Sequence, residues 1–142
     1  RPRTTIAPTV VTRDGEVVLA LGAAGGMRIL SAIVQTISRS VDQGHAPDVA
    51  VALPRVHPVR GENESGEYAI FGEQINFEMT PERGWPPEVA ESLRSHGFEV
   101  VPVEKHASFG RVHLVARSGD VWQGVADADW EGTAMSASCH AQ

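Results

Sequence analysis

Apolar and β-branched residues near the start of the chain fall into two short segments that predict a β-hairpin. Thr9–Thr12 and Glu16–Leu21 have strand character, and Asp14-Gly15 lies between them at the turn. The second segment runs directly into the glycine-rich stretch 22–26. Beyond it, apolar residues recur at helical spacing, at Ile29, Leu30, Ile33, Val34, Ile37 and Val41. The pattern therefore predicts a strand that leads through a glycine loop to the N-terminus of a helix.

Two further helices are predicted from prolines, which suit the first turn of a helix because they lack a backbone N–H. The first helix should end near Gly44, and Pro47 opens a short second helix that Pro54 ends. Pro86-Pro87 opens another helix, for which Gly97 provides the C-terminal cap.

The remaining segments predict strands and one long connection. Residues 61–84 are rich in glycine and acid, which predicts a surface excursion with one strand within Tyr68–Phe77. Phe98–Val103 is a predicted strand, and Arg111–Arg117 pairs with Val121–Val125 in a last hairpin. This order predicts an α+β fold in which helices pack on a mixed sheet.

Composition restricts the classes of partner. The chain has 142 residues, 42% of them hydrophobic and 21% charged, enough for a single domain over residues 1–142 with its own core. A formal net charge of −6 would repel a phosphate backbone or an anionic lipid surface. No apolar run approaches the roughly 20 residues that cross a bilayer. We therefore expect neither a nucleic-acid partner nor a membrane span.

Cysteine and histidine usage argues against a metal site. Cys139 is the single cysteine, so neither a disulfide framework nor a cysteine-rich zinc site can be built from the chain. The six histidines form no i, i+4 pair on a predicted helix. His113 alternates with Val112 and Leu114 and should face the opposite side of its strand. The N-terminus lacks Met, which indicates a processed or excised piece.

The sharpest chemical feature is the segment Gly22-Ala23-Ala24-Gly25-Gly26. Glycines let backbone amides approach a ligand closely, and the following helix directs its free N–H groups and positive dipole end to the same place. Such a loop would stabilise an anion or a developing oxyanion. Its spacing matches neither the dinucleotide nor the phosphate-loop motif, so no such cofactor is expected. The alternative is a tight strand-to-helix turn without a chemical role.

Thr4 and Thr5, ahead of the first strand, offer two hydroxyls that can donate to a carboxylate. Arg1, Arg3 and Arg28 lie near the threonines or the glycine loop in sequence and would favour such a ligand electrostatically. The alternative is an N-terminal loop with ordinary hydroxyls and surface charges.

Four segments together resemble the γ-glutamyltransferase family, also called γ-glutamyltranspeptidases or glutathione hydrolases. They are residues 1–11, Asp14-Gly15, Gly22–Gly26 and Leu53–His57, which resemble the family's P-L-S-S-M-S-P-T-I-V, D-G, G-[SA]-[PA]-G-G and A-P-R-x-H segments in order and spacing. The resemblance implies an N-terminal-nucleophile hydrolase fold, a four-layer αββα sandwich that forms when one precursor cleaves itself into a large and a small subunit. This chain would be most of the small subunit.

The resemblance also implies roles for individual residues. Gly25 and Gly26 match the glycine pair whose backbone N–H groups form the family's oxyanion hole. Thr4 and Thr5 match the paired serines that bind the α-carboxylate of the γ-glutamyl group; the hydroxyls are kept, but the added methyls alter the pocket. The tail departs from the family's S-D-P-R-R-x-x-G-A-A, of which Asp127 and a Gly-x-Ala feature remain.

The family's nucleophile is a threonine that begins the small subunit in a G-T-T-H type segment and uses its own α-amino group as base. No such segment occurs in this chain. We expect the chain to be the C-terminal portion of an enzyme that hydrolyses or transfers γ-glutamyl groups, from glutathione and related compounds, through an acyl-enzyme on an upstream threonine. The chain alone should be inactive. The alternatives are a noncatalytic relative or fragment that serves as a binding domain, and an acylase of different substrate preference.

The implied partners are the large subunit and the upstream part of the small subunit, with a γ-glutamyl small molecule as substrate and neither cofactor nor metal. Apolar faces left exposed on a fragment would also predict self-association. Many family members are periplasmic or extracellular, and a signal for export would lie upstream.

Overall fold

The computed structural model describes residues 5–60, 75–79, 85–102, 110–128 and 132–134. The chain divides into two compact units, one formed by 1–53 with 110–142 and the other by 54–109. In chain order the strands are β1 (Thr9–Arg13), β2 (Glu16–Ala24), β3 (Val56–Arg60), β4 (Ile75–Met79), β5 (Val100–Pro102), β6 (Arg111–Ser118) and β7 (Val121–Ala126). The helices are α1 (Ile29–Ile37), α2 (Pro47–Ala52) and α3 (Pro87–Ser95).

The first unit is built on an antiparallel sheet with the strand order β1-β2-β6-β7. The predicted first hairpin is confirmed, with Asp14 at φ 53° and Gly15 at φ 83° in its turn. Two successive residues at positive φ give a turn whose twist matches that of the flanking strands. The register shifts between Val11 and Thr12, where β1 and β2 contain a bulge.

Helix α1 packs on one face of this sheet and defines the core of the first unit. Its apolar spacing of three and four residues places Ile29, Ala32 and Ile33 in the buried core against β2 and β6, whereas Leu30 and Val34 of the same predicted pattern are 54% and 64% exposed. The buried core consists of Leu19, Leu21, Ile29, Ala32, Ile33, Val51, Val112, Leu114 and Ala116. Because Val112 and Leu114 alternate with residues that point away, His113 is exposed on the opposite face, which confirms the expectation for that histidine.

The chain leaves α1 through a π-helical turn, Ser38–Asp42, and then reverses at Gly44, whose φ is +70°. Buried Arg39 donates a hydrogen bond from Nη1 to the carbonyl oxygen of Leu53 at 3.1 Å. This bond links the π-helical turn to the C-terminal end of α2. Pro47 occupies the first turn of α2, as predicted.

The second unit contains a sheet with the order β3-β4-β5, in which β4 is antiparallel to β3 and parallel to β5. Strand β4 overlaps the end of the strand predicted within Tyr68–Phe77; residues 61–74 lie outside the described part. Helix α3 confirms the helix predicted after Pro86-Pro87, and Gly97 follows it at φ 86°. The indole nitrogen of Trp85 donates to the carbonyl oxygen of Arg55 at 3.2 Å.

Among the described residues, no helix is long and apolar enough to cross a membrane. The elements as a whole confirm the α+β class, with helices packed on antiparallel and mixed sheets. That residues 1–142 form a single domain stays a prediction.

Replacing Leu114 tests the two-faced character of the first sheet. Leu114 is 3% exposed beneath α1, so Leu114→Ala should lower the free energy of unfolding by about 3 kcal/mol through lost burial and a residual cavity. Its neighbour Val115 is 42% exposed on the other face, and Val115→Ala should change stability by about 0.5 kcal/mol or less. Urea denaturation followed by circular dichroism measures both values. Equal losses would contradict this assignment of faces.

Candidate functional site

Gly25 and Gly26 have backbone conformations that side-chain-bearing residues rarely adopt. Gly25 lies at φ 134° and ψ 28°, and Gly26 at φ 65°. Both are exposed, and a Cβ added to Gly26 would meet no atom within 4 Å. The backbone path therefore favours glycine at both positions, because an L-residue at positive φ is strained, and at Gly26 no neighbouring group adds to this requirement.

The glycine pair stands at the N-terminus of a helical segment. A short 3-10 helix, Gly26–Arg28, leads directly into α1. No side chain caps either start, and neither first turn contains an acidic residue. The first N–H groups of a helix lack intrahelical acceptors, and the helix dipole adds positive potential there. The arrangement can therefore bind an anion or a developing negative charge through backbone donors.

Thr5 lies ahead of β1, and Thr4 lies outside the described residues. Thr5 is half-buried, and the segment 5–8 precedes β1, whose first pair is Thr9 with Leu21. In an antiparallel pair, the residues ahead of Thr9 lead toward the end of β2 from which the glycine loop departs. Thr9 fixes the turn into β1 by donating from Oγ1 to the carbonyl oxygen of Ala7 at 3.1 Å.

The other candidate groups lie elsewhere or outside the described residues. Arg28 is half-buried and lies two residues after Gly26, whereas Arg1 and Arg3 are outside the described residues. His57 lies on β3, in the second unit. Within the described ranges, no group of three or more histidine, cysteine, aspartate or glutamate residues could hold a metal ion.

A cavity of about 400 Å³ in the first unit contains none of the predicted site residues. Its walls include Arg13, Val41, His45 and Arg117. Arg117 donates from Nη1 to the carboxylate of Glu16 at 3.0 Å. Since these residues belong to the turn ends of the strands and to the segment after α1, the cavity is separate from the glycine loop.

Asp127 and Gly110, which the sequence analysis did not predict as site residues, lie at the end of the first sheet from which the glycine loop departs. Asp127 is 1% exposed; its N–H donates to the carbonyl oxygen of Val112 at 3.0 Å, and its carboxylate accepts the Val112 N–H at 3.4 Å. Gly110 is buried against the start of α1. Asp127 could have been found from the sequence, since it matches the aspartate of the family's tail motif. The residues around Gly110 do not predict its contact with α1.

Comparison with protein families gives a match to the γ-glutamyltranspeptidase family over residues 1–137. The chain is 27% identical over 122 residues to the glutathione hydrolase proenzyme of Escherichia coli, which covers 86% of the chain and 18% of that protein. The corresponding proenzyme of Bacillus subtilis is 28% identical over 139 residues, which cover 95% of the chain and 20% of that protein. The chain thus spans about a fifth of the length of these relatives.

Solved structures share the fold. The γ-glutamyltranspeptidase from Pseudomonas nitroreducens complexed with L-DON superposes with a TM-score of 0.76 at 24% identity, covering 97% of this chain and 65% of that chain. The cephalosporin acylase from Bacillus halodurans gives a TM-score of 0.68 at 20% identity. The match covers 87% of this chain and 22% of the acylase chain.

These neighbours confirm the expected architecture, part of the αββα sandwich of an N-terminal-nucleophile hydrolase. The family match extends through the hairpin, the glycine loop and the last two strands. On these grounds the chain belongs to the γ-glutamyltranspeptidase family.

Proposed function

We propose that this chain is the C-terminal portion of an enzyme that hydrolyses or transfers γ-glutamyl groups, and that its backbone amides at Gly25 and Gly26 form the oxyanion hole. The observation that carries the proposal is the exposed pair of positive-φ glycines at an uncapped helix start. The likeness to glutathione hydrolase proenzymes supports the choice of reaction.

Acyl transfer concentrates negative charge on the former carbonyl oxygen when the nucleophile attacks. Fixed N–H donors aimed at that position lower the barrier because they need no reorganisation during the step. In this chain the donors would be the N–H groups of Gly25 and Gly26, held between the end of β2 at Ala24 and the start of α1 at Ile29. The nucleophile would be a threonine from outside this chain: its hydroxyl oxygen would bond to the γ-carbonyl carbon while the amide C–N bond breaks and the amine leaves with the hydroxyl proton. Water or a second amine would then take the acyl group and free the threonine.

The hydroxyls of Thr4 and Thr5 would hold the α-carboxylate of the γ-glutamyl group. The support for Thr5 is the direction of the chain: the β1–β2 pairing ends at Thr9 with Leu21, and the residues ahead of Thr9 precede the strand at the end where β2 leads to the glycine loop. A carboxylate bound there would leave the γ-carbonyl of the same group, several bonds away, free to reach the glycine amides. One substrate could thus span both sites.

The chain's partner would cover the face of the first sheet that lies away from α1. This face exposes Val10 by 60%, Val115 by 42% and Trp122 by 47%, whereas Leu114 and Ala116, which flank Val115 and point inward, are buried. Apolar groups on one sheet face favour packing against another layer. We assign this face to the second sheet of the sandwich, contributed by the remainder of the proenzyme; self-association of the isolated chain is the expected behaviour without it.

Release of a chromogenic amine from a γ-glutamyl anilide tests the reaction directly. We expect release by the full-length protein that contains this chain and none by the 142-residue chain alone, because the nucleophile segment is missing from it. Folding of both proteins should be verified by circular dichroism. A folded full-length protein that cleaves other acyl amides but no γ-glutamyl anilide would favour the acylase alternative, which the structural likeness to cephalosporin acylase supports. No cleavage of either would favour a noncatalytic relative.

Gly26→Ala tests the oxyanion hole. In the full-length enzyme it should lower kcat about 10²- to 10³-fold, because the strained residue shifts or removes one backbone donor. Gly44→Ala is a matched control, since Gly44 has φ +70° against +65° for Gly26 and both have open space around an added Cβ. The two variants should therefore lose similar stability. An equal effect of both on kcat, or no effect of Gly26→Ala in folded enzyme, would refute the assignment.

Thr5→Val tests the carboxylate contact. It removes the hydroxyl at nearly constant volume and should raise KM for a γ-glutamyl substrate about 10- to 100-fold, the cost of losing a hydrogen bond to a charged group. Thr5→Ser keeps the hydroxyl and should remain near the parent value. Initial-rate measurements over substrate concentration separate KM from kcat. A KM that stays unchanged in Thr5→Val would remove Thr5 from the site.

A further inference from the structure

The structure assigns to Gly110 the role of a positioning residue: its lack of a side chain sets the location of the first turn of α1 and, through it, of the Gly25 and Gly26 amides. This inference rests on the proposed function insofar as those amides stabilise an oxyanion. The contact itself is independent of the reaction.

The space at Gly110 is closed by the start of α1. A Cβ built on Gly110 would lie 3.0 Å from the Cα of Ile29, 3.2 Å from the carbonyl oxygen of Arg28 and 3.0 Å from the Cβ of Ala32. Carbon atoms in contact normally lie about 3.5–4.0 Å apart. Two of the three atoms belong to the backbone, so no side-chain rotation could relieve the contact, and the helix start itself would have to move.

Glycine is needed here for space and not for backbone conformation. Gly110 is not among the glycines with φ in the left-handed region, in contrast to Gly25 and Gly26. Alanine would therefore suit the local backbone of Gly110 but not its surroundings. Glycine at this position allows the residue before β6 to approach the first turn of α1 closely.

The strand side of the contact is fixed by other interactions. Gly110 directly precedes β6, whose first residue Arg111 pairs with Ala24, the last residue of β2. Asp127 closes the same end by exchanging hydrogen bonds with the backbone of Val112. Gly110 and the start of β6 are therefore held in place, so a methyl group added at Gly110 would displace the start of α1.

Displacement of the helix start reaches the proposed oxyanion hole within a few residues. Arg28 and Ile29 follow Gly26 almost directly, and the N–H of Ile29 donates to the carbonyl oxygen of Gly26. The strand end at Ala24 holds the other side of the glycine pair. A shift of Ile29 must then be absorbed by rotation within Gly25–Arg28, which changes where the glycine amides point. Reactions that depend on aligned donors lose rate steeply with such misplacement.

The experiment is Gly110→Ala in the full-length protein, with Gly119→Ala as control. Gly119 lies in the β6–β7 turn at φ +60° with open space around it, so its alanine variant is strained but remote from α1. We expect Gly110→Ala to lower kcat for a γ-glutamyl anilide about 3- to 10-fold with KM changed less than about twofold. Gly119→Ala should leave both constants near the parent values, even where thermal unfolding shows that its stability falls.

A readout that does not depend on turnover separates this inference from the proposed function. The amide resonances of Gly25 and Gly26 in the NMR spectrum of the isotopically labelled protein should shift in Gly110→Ala and stay in place in Gly119→Ala. If the parent shows no γ-glutamyl activity, the proposed function fails, and the resonances alone decide the role of Gly110. Unshifted resonances in folded Gly110→Ala would overturn the inference.

The double variant Gly110→Ala with Ala32→Gly guards against loss of folding. It removes the contact between the two Cβ atoms but keeps the contacts to the Ile29 Cα and the Arg28 carbonyl oxygen. Because glycine inside α1 lowers the stability of the helix, the double variant is compared with Ala32→Gly alone; relative to that variant the kcat defect and the resonance shifts should persist. Recovery of kcat together with folding would make Gly110 a packing residue only, and so would failure of both variants to fold; either result overturns the proposal.

Discussion

The burial of one face of α1 against β2 and β6 is the contact on which the rest of the first unit depends. Ile29 and Ile33 pack over strand residues that are themselves nearly inaccessible. Because β2 feeds directly into α1, the chain must reverse direction within the few residues from Gly25 to Arg28. That reversal is sharp enough to require two consecutive positive-φ residues. The exposed backbone donors are therefore a consequence of packing the helix onto the strand that precedes it.

Local signals predicted this part of the molecule well. Asp14-Gly15 encodes its own turn, and apolar spacing gave α1 its buried face, because both depend on residues close in sequence. Strand β3 was not predicted, since Pro58 within it argues against a strand. The order β3-β4-β5 explains the discrepancy: β3 is an edge strand of this sheet, where a proline can sit without breaking an interior ladder.

The candidate site was predictable only in the parts that lie next to each other in sequence. The glycine pair is visible as a motif, and its position at a helix start follows from the elements around it. The role of Gly110 could not be predicted in this way, because the residues it contacts, Arg28, Ile29 and Ala32, are distant in sequence. No local pattern near Gly110 predicts these contacts. Asp127 is intermediate: the residue stands out in the tail, but its burial and its bonds to Val112 depend on the pairing of β6 with β7.

Under the proposed function, the two faces of the first sheet explain why the backbone donors and the nucleophile can come from different segments. The helix-facing side is completed within this chain by α1 and α2, so the glycine amides are held by contacts that the chain itself supplies. The other side leaves Val10, Val115 and Trp122 exposed, and needs another layer. An oxyanion hole gains its catalytic value from donors that are fixed before the reaction begins. Under the proposed function, the half of the site that must be rigid is thus built on the completed face, whereas the nucleophile can arrive with the layer that covers the open one.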